Sequence, residues 1–148
     1  MTFMPDFPVI QVLDWGEAEA RARSVRDAVF IVEQKVPVEL EWDEWDARCA
    51  HALALDARSN PVGTARLLPD GHIGRMAVIA GWRGKGVGRA LALALLEKAR
   101  ERGMRRIVLH AQTHASGFYR KLGFEISGPE FEEAGIAHVA MSITLGVP

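Results

Sequence analysis

The sequence lacks the parts from which several kinds of protein are built. It has one cysteine, Cys49, so neither an internal disulfide nor a thiolate zinc cluster can form within it. With no catalytic spacing around it, and Ala50 beside it, Cys49 reads as a small apolar residue entering a strand. No uncharged apolar run is long enough for a transmembrane helix, so no membrane partner is expected. The opening stretch from Met1 to Pro8 has no basic segment followed by an apolar one; no secretory leader is expected there, and the cytoplasm is the expected compartment. The net charge is −1, leaving no overall basic field to gather the chain on nucleic acid. There is no His-x-x-x-His and no Cys pair, so no metal is expected.

What is present describes one globular unit. The 148 residues are the size of a single domain, taken as 1–148, and 49% hydrophobic with 25% charged is a folded composition. Asp14 and Glu17 have the spacing of a helix-opening capping arrangement, and Ala18, Ala22, Val25, Val29 and Val32 continue an apolar stripe to about Glu33, where Val36-Pro37 breaks it. From Cys49 the period becomes two. Three strands, running from Cys49, from Val62 to Leu68 and from His72 to Ile79, are separated by turn clusters and form an antiparallel meander. Val87 to Arg102, filled with Ala and Leu and closed by Gly103, is the strongest helix. A buried strand at Ile107–Ala111, a short helix at His114–Leu122 and a last strand at Ala137–Leu145 complete an α+β order whose strand–helix–strand second half favours parallel pairing.

The chemistry concentrates at Arg83-Gly84-Lys85-Gly86-Val87-Gly88, where a glycine loop opens the long helix. A helix start presents unpaired N–H groups and partial positive charge, and glycines let an anion approach them. A P-loop requires Ser or Thr after Gly-Lys, whereas Gly86 follows Lys85; a dinucleotide fingerprint requires Gly or Ala where Arg89 or Leu91 stands. Both are excluded, leaving a pyrophosphate-type loop or a glycine turn with no ligand. The basic residues from Arg83 to Arg106 suit an anionic ligand, but they surround a Leu/Ala helix and lack the stacking aromatics of a nucleic-acid surface.

With those residues in place, the chain resembles the GNAT superfamily of N-acetyltransferases, whose loop reads Arg/Gln-x-x-Gly-x-Gly/Ala. Ala115-Ser116-Gly117-Phe118-Tyr119-Arg120-Lys121-Leu122-Gly123-Phe124 resembles the same superfamily's Ala-x-x-x-Tyr-x-x-x-Gly-Phe segment. Val25 to Gln34 and Ala111-Gln112-Thr113-His114 look like its ElaA-like and YjcF-like subgroup. The resemblance implies a GNAT-type mixed sheet flanked by helices. It also implies acetyl transfer from acetyl-CoA to a primary amine, small-molecule or peptide, by direct attack; paired subunits are frequent in the superfamily, so a homodimer is a further expectation. Backbone groups of Met76, Ala77 and Val78 are implied to pair with the pantetheine, the Val78 N–H polarising the thioester, and those of Arg83, Gly84, Lys85, Gly86, Val87 and Gly88 to hold the pyrophosphate. Tyr119 is implied to protonate the leaving thiolate. Gln112 stands where the superfamily often has Asn, which leaves its contact with the cofactor open.

An acceptor amine arrives as ammonium, so a base is needed. His72 is the lead candidate, because some superfamily members place a catalytic Glu there; the other reading is an exposed turn histidine. Glu33 is a further candidate, while His51, His110 and His138 lie in strand patterns typical of core histidines. Tyr119 could equally be a core aromatic. The acidic stretch Glu39–Asp46 could face a cationic acceptor or simply solvent. The competing function is a non-catalytic acyl-CoA-binding or sensing module on the same fold.

Overall fold

A computed structural model describes residues 7–146; the expectation of no leader in the opening stretch falls largely on residues 1–6, outside the described residues. One mixed sheet runs through the molecule. Its strands are β1 (Val9–Asp14), β2 (Ala50–Leu55), β3 (Pro61–Leu67), β4 (His72–Val78), β5 (Arg106–Gln112), β6 (Glu125–Glu133) and β7 (Ile136–Thr144), in the spatial order β1-β2-β3-β4-β5-β7-β6. The helices are α1 (Trp15–Arg26), α2 (Val38–Glu41), α3 (Val87–Glu101) and α4 (Ser116–Lys121).

Strand β2 shows why both faces of the sheet are covered. Ala50, Ala52 and Ala54 belong to the core that Leu91, Leu95 and Ala99 of α3 enter, whereas Leu53 and Leu55 pack with Ala18 and Ala22 of α1. Alternate residues point to opposite faces, so α1 and α3 sandwich the meander. Gly63 on β3 permits the close approach of α3: a Cβ there would stand 3.0 Å from Leu91 Cδ1 and 3.1 Å from Val87 Cγ1.

Three features depart from expectation. Asp14 occupies the cap of α1 but its side chain makes no capping bond. Beyond Arg26 the helix widens into a π-helical segment, Asp27–Glu33, with the Gln34 N–H donating to Val29 O at 2.9 Å. The extra residue rotates the apolar stripe, so Phe30 is buried and Val32, placed on the core face by its spacing, is 67% exposed. Strand β6 was not expected at all. Its inclusion as a hairpin partner brings β7 antiparallel against β5, so among the described residues only β4 and β5 pair in parallel.

The parallel contact is short. It holds His72 opposite Val108 and Ile73 opposite Leu109, and then the strands part. The cause lies in β4: Thr64 pairs with Ala77 and Arg66 with Gly74, which puts one residue too many on β4, and Arg75 takes φ 50° to accommodate it. A bulge bends its strand, and this one turns β4 away from β5.

Candidate active site

The parting strands open a cleft of about 1030 Å³ that reaches from the glycine loop to the His72 end of β4. On the β4 wall, the Ile79 N–H donates to Val62 O of β3. By strand alternation, Met76 and Val78 direct their N–H groups the other way, into the cleft. Met76 and Val78 both line it.

At one end, Gly84 and Gly86 adopt φ 75° and 90°, a conformation costly for any side-chain-bearing residue, and no side chain caps α3. The first N–H groups of α3 are therefore offered to the cleft. Arg83 has a different role from the added charge expected of it. Its guanidinium pairs with both oxygens of Glu33, at 2.5 and 2.6 Å, and its Nε donates to Val78 O at 2.8 Å. The same pairing holds the Glu33 carboxyl below its usual range, so a free base at Glu33 is not what the structure presents. Lys85 sits over the Trp82 ring at 5.2 Å, beside the loop.

Midway, Tyr119 projects from α4 with its hydroxyl 3.5 Å from Met76 Sδ, its ring set between Phe118 and Phe124. Burial pushes its phenol up to about 12, which keeps it a proton carrier across neutral pH. Gln112 lines the cleft and donates to Gln34 Oε1 at 3.1 Å, joining the end of β5 to the end of the π-helical segment.

At the far end, His72 faces the cleft with its Nδ1 3.0 Å from Asp70 Oδ1. The His110 ring lies 6.0 Å away, half-exposed and on the cleft wall, so the core reading of His110 does not hold. His138 is buried but also faces the cleft. His51 does fit the core reading: it bonds Asp46 O at 2.8 Å, and burial lowers its pKa.

The acidic stretch is neither a solvated loop throughout nor an open anionic mouth. Glu41 and Asp46 are buried, and Arg26 bonds both, at 2.7 and 2.8 Å. Arg66 reaches Asp43 and Asp46, while Arg75 lies 3.5 Å from Glu41 and 3.3 Å from Asp43. Burial raises the Glu41 carboxyl, whereas the Arg66 hydrogen bond lowers Asp43 to about 2. The Trp42 ring stacks under the guanidinium groups of Arg23 and Arg26 and anchors the segment to α1. Cys49 is buried, and burial pushes its thiol up to about 11, far from a reactive thiolate.

Sequence reasoning missed Phe30, Gln34 and Glu133 in the cleft. The π-helical widening that swings Phe30 and Gln34 inward leaves no clear periodic mark. Glu133 could have been found only by recognising the hairpin.

The Acetyltransferase (GNAT) domain model matches residues 18–145. The chain belongs to the GNAT acetyltransferase family. An uncharacterized N-acetyltransferase of Bacillus subtilis, YjcF, is 39% identical over 121 residues, covering 79% of this chain and 86% of YjcF. The crystal structure of Escherichia coli ElaA superposes with TM-score 0.82 at 30% identity, over 91% of this chain and 99% of ElaA. An acyl-CoA N-acyltransferase from Pseudomonas aeruginosa superposes with TM-score 0.81 at 26% identity, over 92% and 99% of the two chains. GNAT membership makes acyl transfer the general chemistry and an acyl-CoA the family's donor. Among the described residues, no group of three or more His, Cys, Asp or Glu could hold a metal, and no helix is long and apolar enough to cross a membrane.

Proposed function

We propose that residues 1–148 act as one domain that transfers an acetyl group from acetyl-CoA to a primary amine. The observation that carries this reading is the continuity of the cleft: phosphate-type loop, outward strand amides, Tyr119 and His72 line one cavity.

The N–H groups from Arg83 to Gly88 would receive the pyrophosphate, and the backbone of Met76, Ala77 and Val78 would carry the pantetheine as an added strand. The Val78 N–H would polarise the thioester carbonyl. The amine nitrogen attacks that carbon, the C–N bond forms and the C–S bond breaks. His72, oriented by Asp70, takes the ammonium proton before attack, Tyr119 gives its proton to the leaving sulfur, and the second nitrogen proton, shed as the amide forms, returns to the Tyr119 oxygen. His72 lies six residues before Val78, roughly 20 Å along an extended strand, so its proton arrives through bridging water. The Glu33–Arg83–Val78 linkage braces the loop against β4.

A thiol-release assay with acetyl-CoA across a panel of amines tests the proposal. Turnover with at least one primary amine is expected. Tight acetyl-CoA binding with no thiol release from any amine would favour a binding module instead.

A further inference from the structure

The end of the π-helical segment reaches both sides of the gap between β4 and β5. Glu33 holds Arg83, whose Nε bonds Val78 O of β4, and the next residue, Gln34, accepts at 3.1 Å from the side chain of Gln112 at the end of β5. Two adjacent residues therefore tie one helix end to the two strands that part. The extra residue of the π turn makes this possible, since ordinary α spacing would leave Gln34 turned by about 100°. Its backbone is fixed as well. The Gln34 N–H donates to Val29 O and the Val36 N–H to Phe30 O at 2.8 Å, while Lys35 between them takes φ 58°, a conformation unfavourable for any residue with a Cβ.

Gln112 stands where the gap has opened. Counting on from Ile73 opposite Leu109, it comes level with Met76, or with Ala77 once the bulge residue of β4 is allowed for. Both glutamines line the cleft. An extended chain laid along β4 presents polar groups on two edges, one toward Met76 and Val78 and the other toward β5. Polar groups on that second edge need partners, and β5 has stopped pairing with β4 beyond Leu109, so a long side chain reaches in place of backbone. With one amide hydrogen given to Gln34, Gln112 keeps a second hydrogen and its carbonyl oxygen, enough both to donate to an amide and to accept from one. A loose glutamine would lose rotamer freedom on binding, whereas the Gln34 bond orders this one beforehand.

We infer that Gln34 is a positioning residue for the donor: it holds Gln112 across the gap from β4, ready for an amide of the pantetheine arm. The acetyl-transfer reading enters only as the identity of the chain in the gap.

Calorimetry on the full chain with coenzyme A and with ADP, which keeps a diphosphate but has no pantetheine, provides the test, with thermal unfolding of each variant alongside. Gln34→Met, similar in length but without an amide, should weaken coenzyme A about tenfold and leave ADP within about twofold of wild type. Gln112→Met should weaken coenzyme A at least as much, and adding Gln34→Met to it should cost nothing further, because the first side chain acts through the second. Gln34→Glu keeps an acceptor for Gln112 and should stay within about threefold of wild type. Unchanged coenzyme A affinity in Gln34→Met overturns the inference, as does a further loss in the double variant. Equal losses for coenzyme A and ADP also overturn it, marking a brace on the phosphate loop instead, and so does a folded Gln34→Glu as weak as Gln34→Met. A wild type with no affinity for coenzyme A removes the acetyl-transfer reading and this role of Gln34 together, whereas each of the other adverse results leaves that reading standing.

Discussion

Replacing Tyr119 with Phe separates the chemical role of its hydroxyl from the structural role of its ring. The ring is held by Phe118 and Phe124 at centroid distances of 4.9 and 6.0 Å, contacts that Phe retains. Among the described residues the hydroxyl bonds only the Met76 thioether, at 3.5 Å, a weak acceptor, so its loss should cost about 0.5 kcal/mol of stability. In a chain of this length that is a shift of roughly 1–2 °C in Tm. If the same hydroxyl protonates the leaving thiolate, kcat should fall by about 100-fold or more, equivalent to ~2.7 kcal/mol in the barrier. Acetyl-CoA affinity should be unchanged, because nothing else in the cleft moves. Steady-state thiol release, calorimetry with acetyl-CoA and thermal unfolding measured on the same preparation distinguish these effects. A kcat within about twofold of wild type would remove Tyr119 from the reaction. There is also a pH signature. The partly buried phenol sits at about 12 against roughly 10 in the unfolded chain, so the folded state holds its proton longer. Its contribution to stability is complete below pH ~10 and is lost as pH rises through about 12; the Phe variant should lack that alkaline loss.

Gly88→Glu should abolish coenzyme A binding in calorimetry, since it adds negative charge beside the loop and its Cβ would stand 3.3 Å from Phe118 Cζ; normal affinity would place the phosphates elsewhere. Arg26→Ala removes the hydrogen-bonded counterion of buried Glu41 and one of the two on buried Asp46, leaving Arg75 and Arg66 as their remaining cations, and should cost about 3 kcal/mol in urea unfolding. Cys49 should resist a disulfide exchange reagent at pH 8 until the protein unfolds, because its thiol is buried and raised to about 11; rapid native labelling would contradict that burial.

Elements whose stability is local or periodic were legible in the amino-acid order. The long helix was readable because Ala and Leu fill it and Gly103 ends it, and the meander because its period of two changes only at turn residues. Strand β6 was not, since an edge strand has little to bury: Glu125, Pro129, Glu130, Glu132 and Glu133 carry the charge and proline that protect an edge and erase its apolar pattern. The burial of Glu41 and Asp46 was hidden for a different reason. Their partners Arg26 and Arg66 are 15 and 20 positions away, and nothing in a run of carboxylates announces distant counterions. His110 was misread because a strand pattern states which residues alternate, but not that one of the two faces borders a cleft.

The narrow junction between β4 and β5 bears on how the molecule comes apart. Two residue pairs stitch a four-stranded block to a three-stranded one, and beyond them each block keeps a strand border with no neighbour. The two blocks share one core beneath the sheet, but their backbone bonding meets only at that short seam, and amide exchange should be fastest along the borders that face the gap. Anything extended that fits between the blocks zips them into one, so occupancy of the gap should be visible as slowed exchange in both halves of the chain at once.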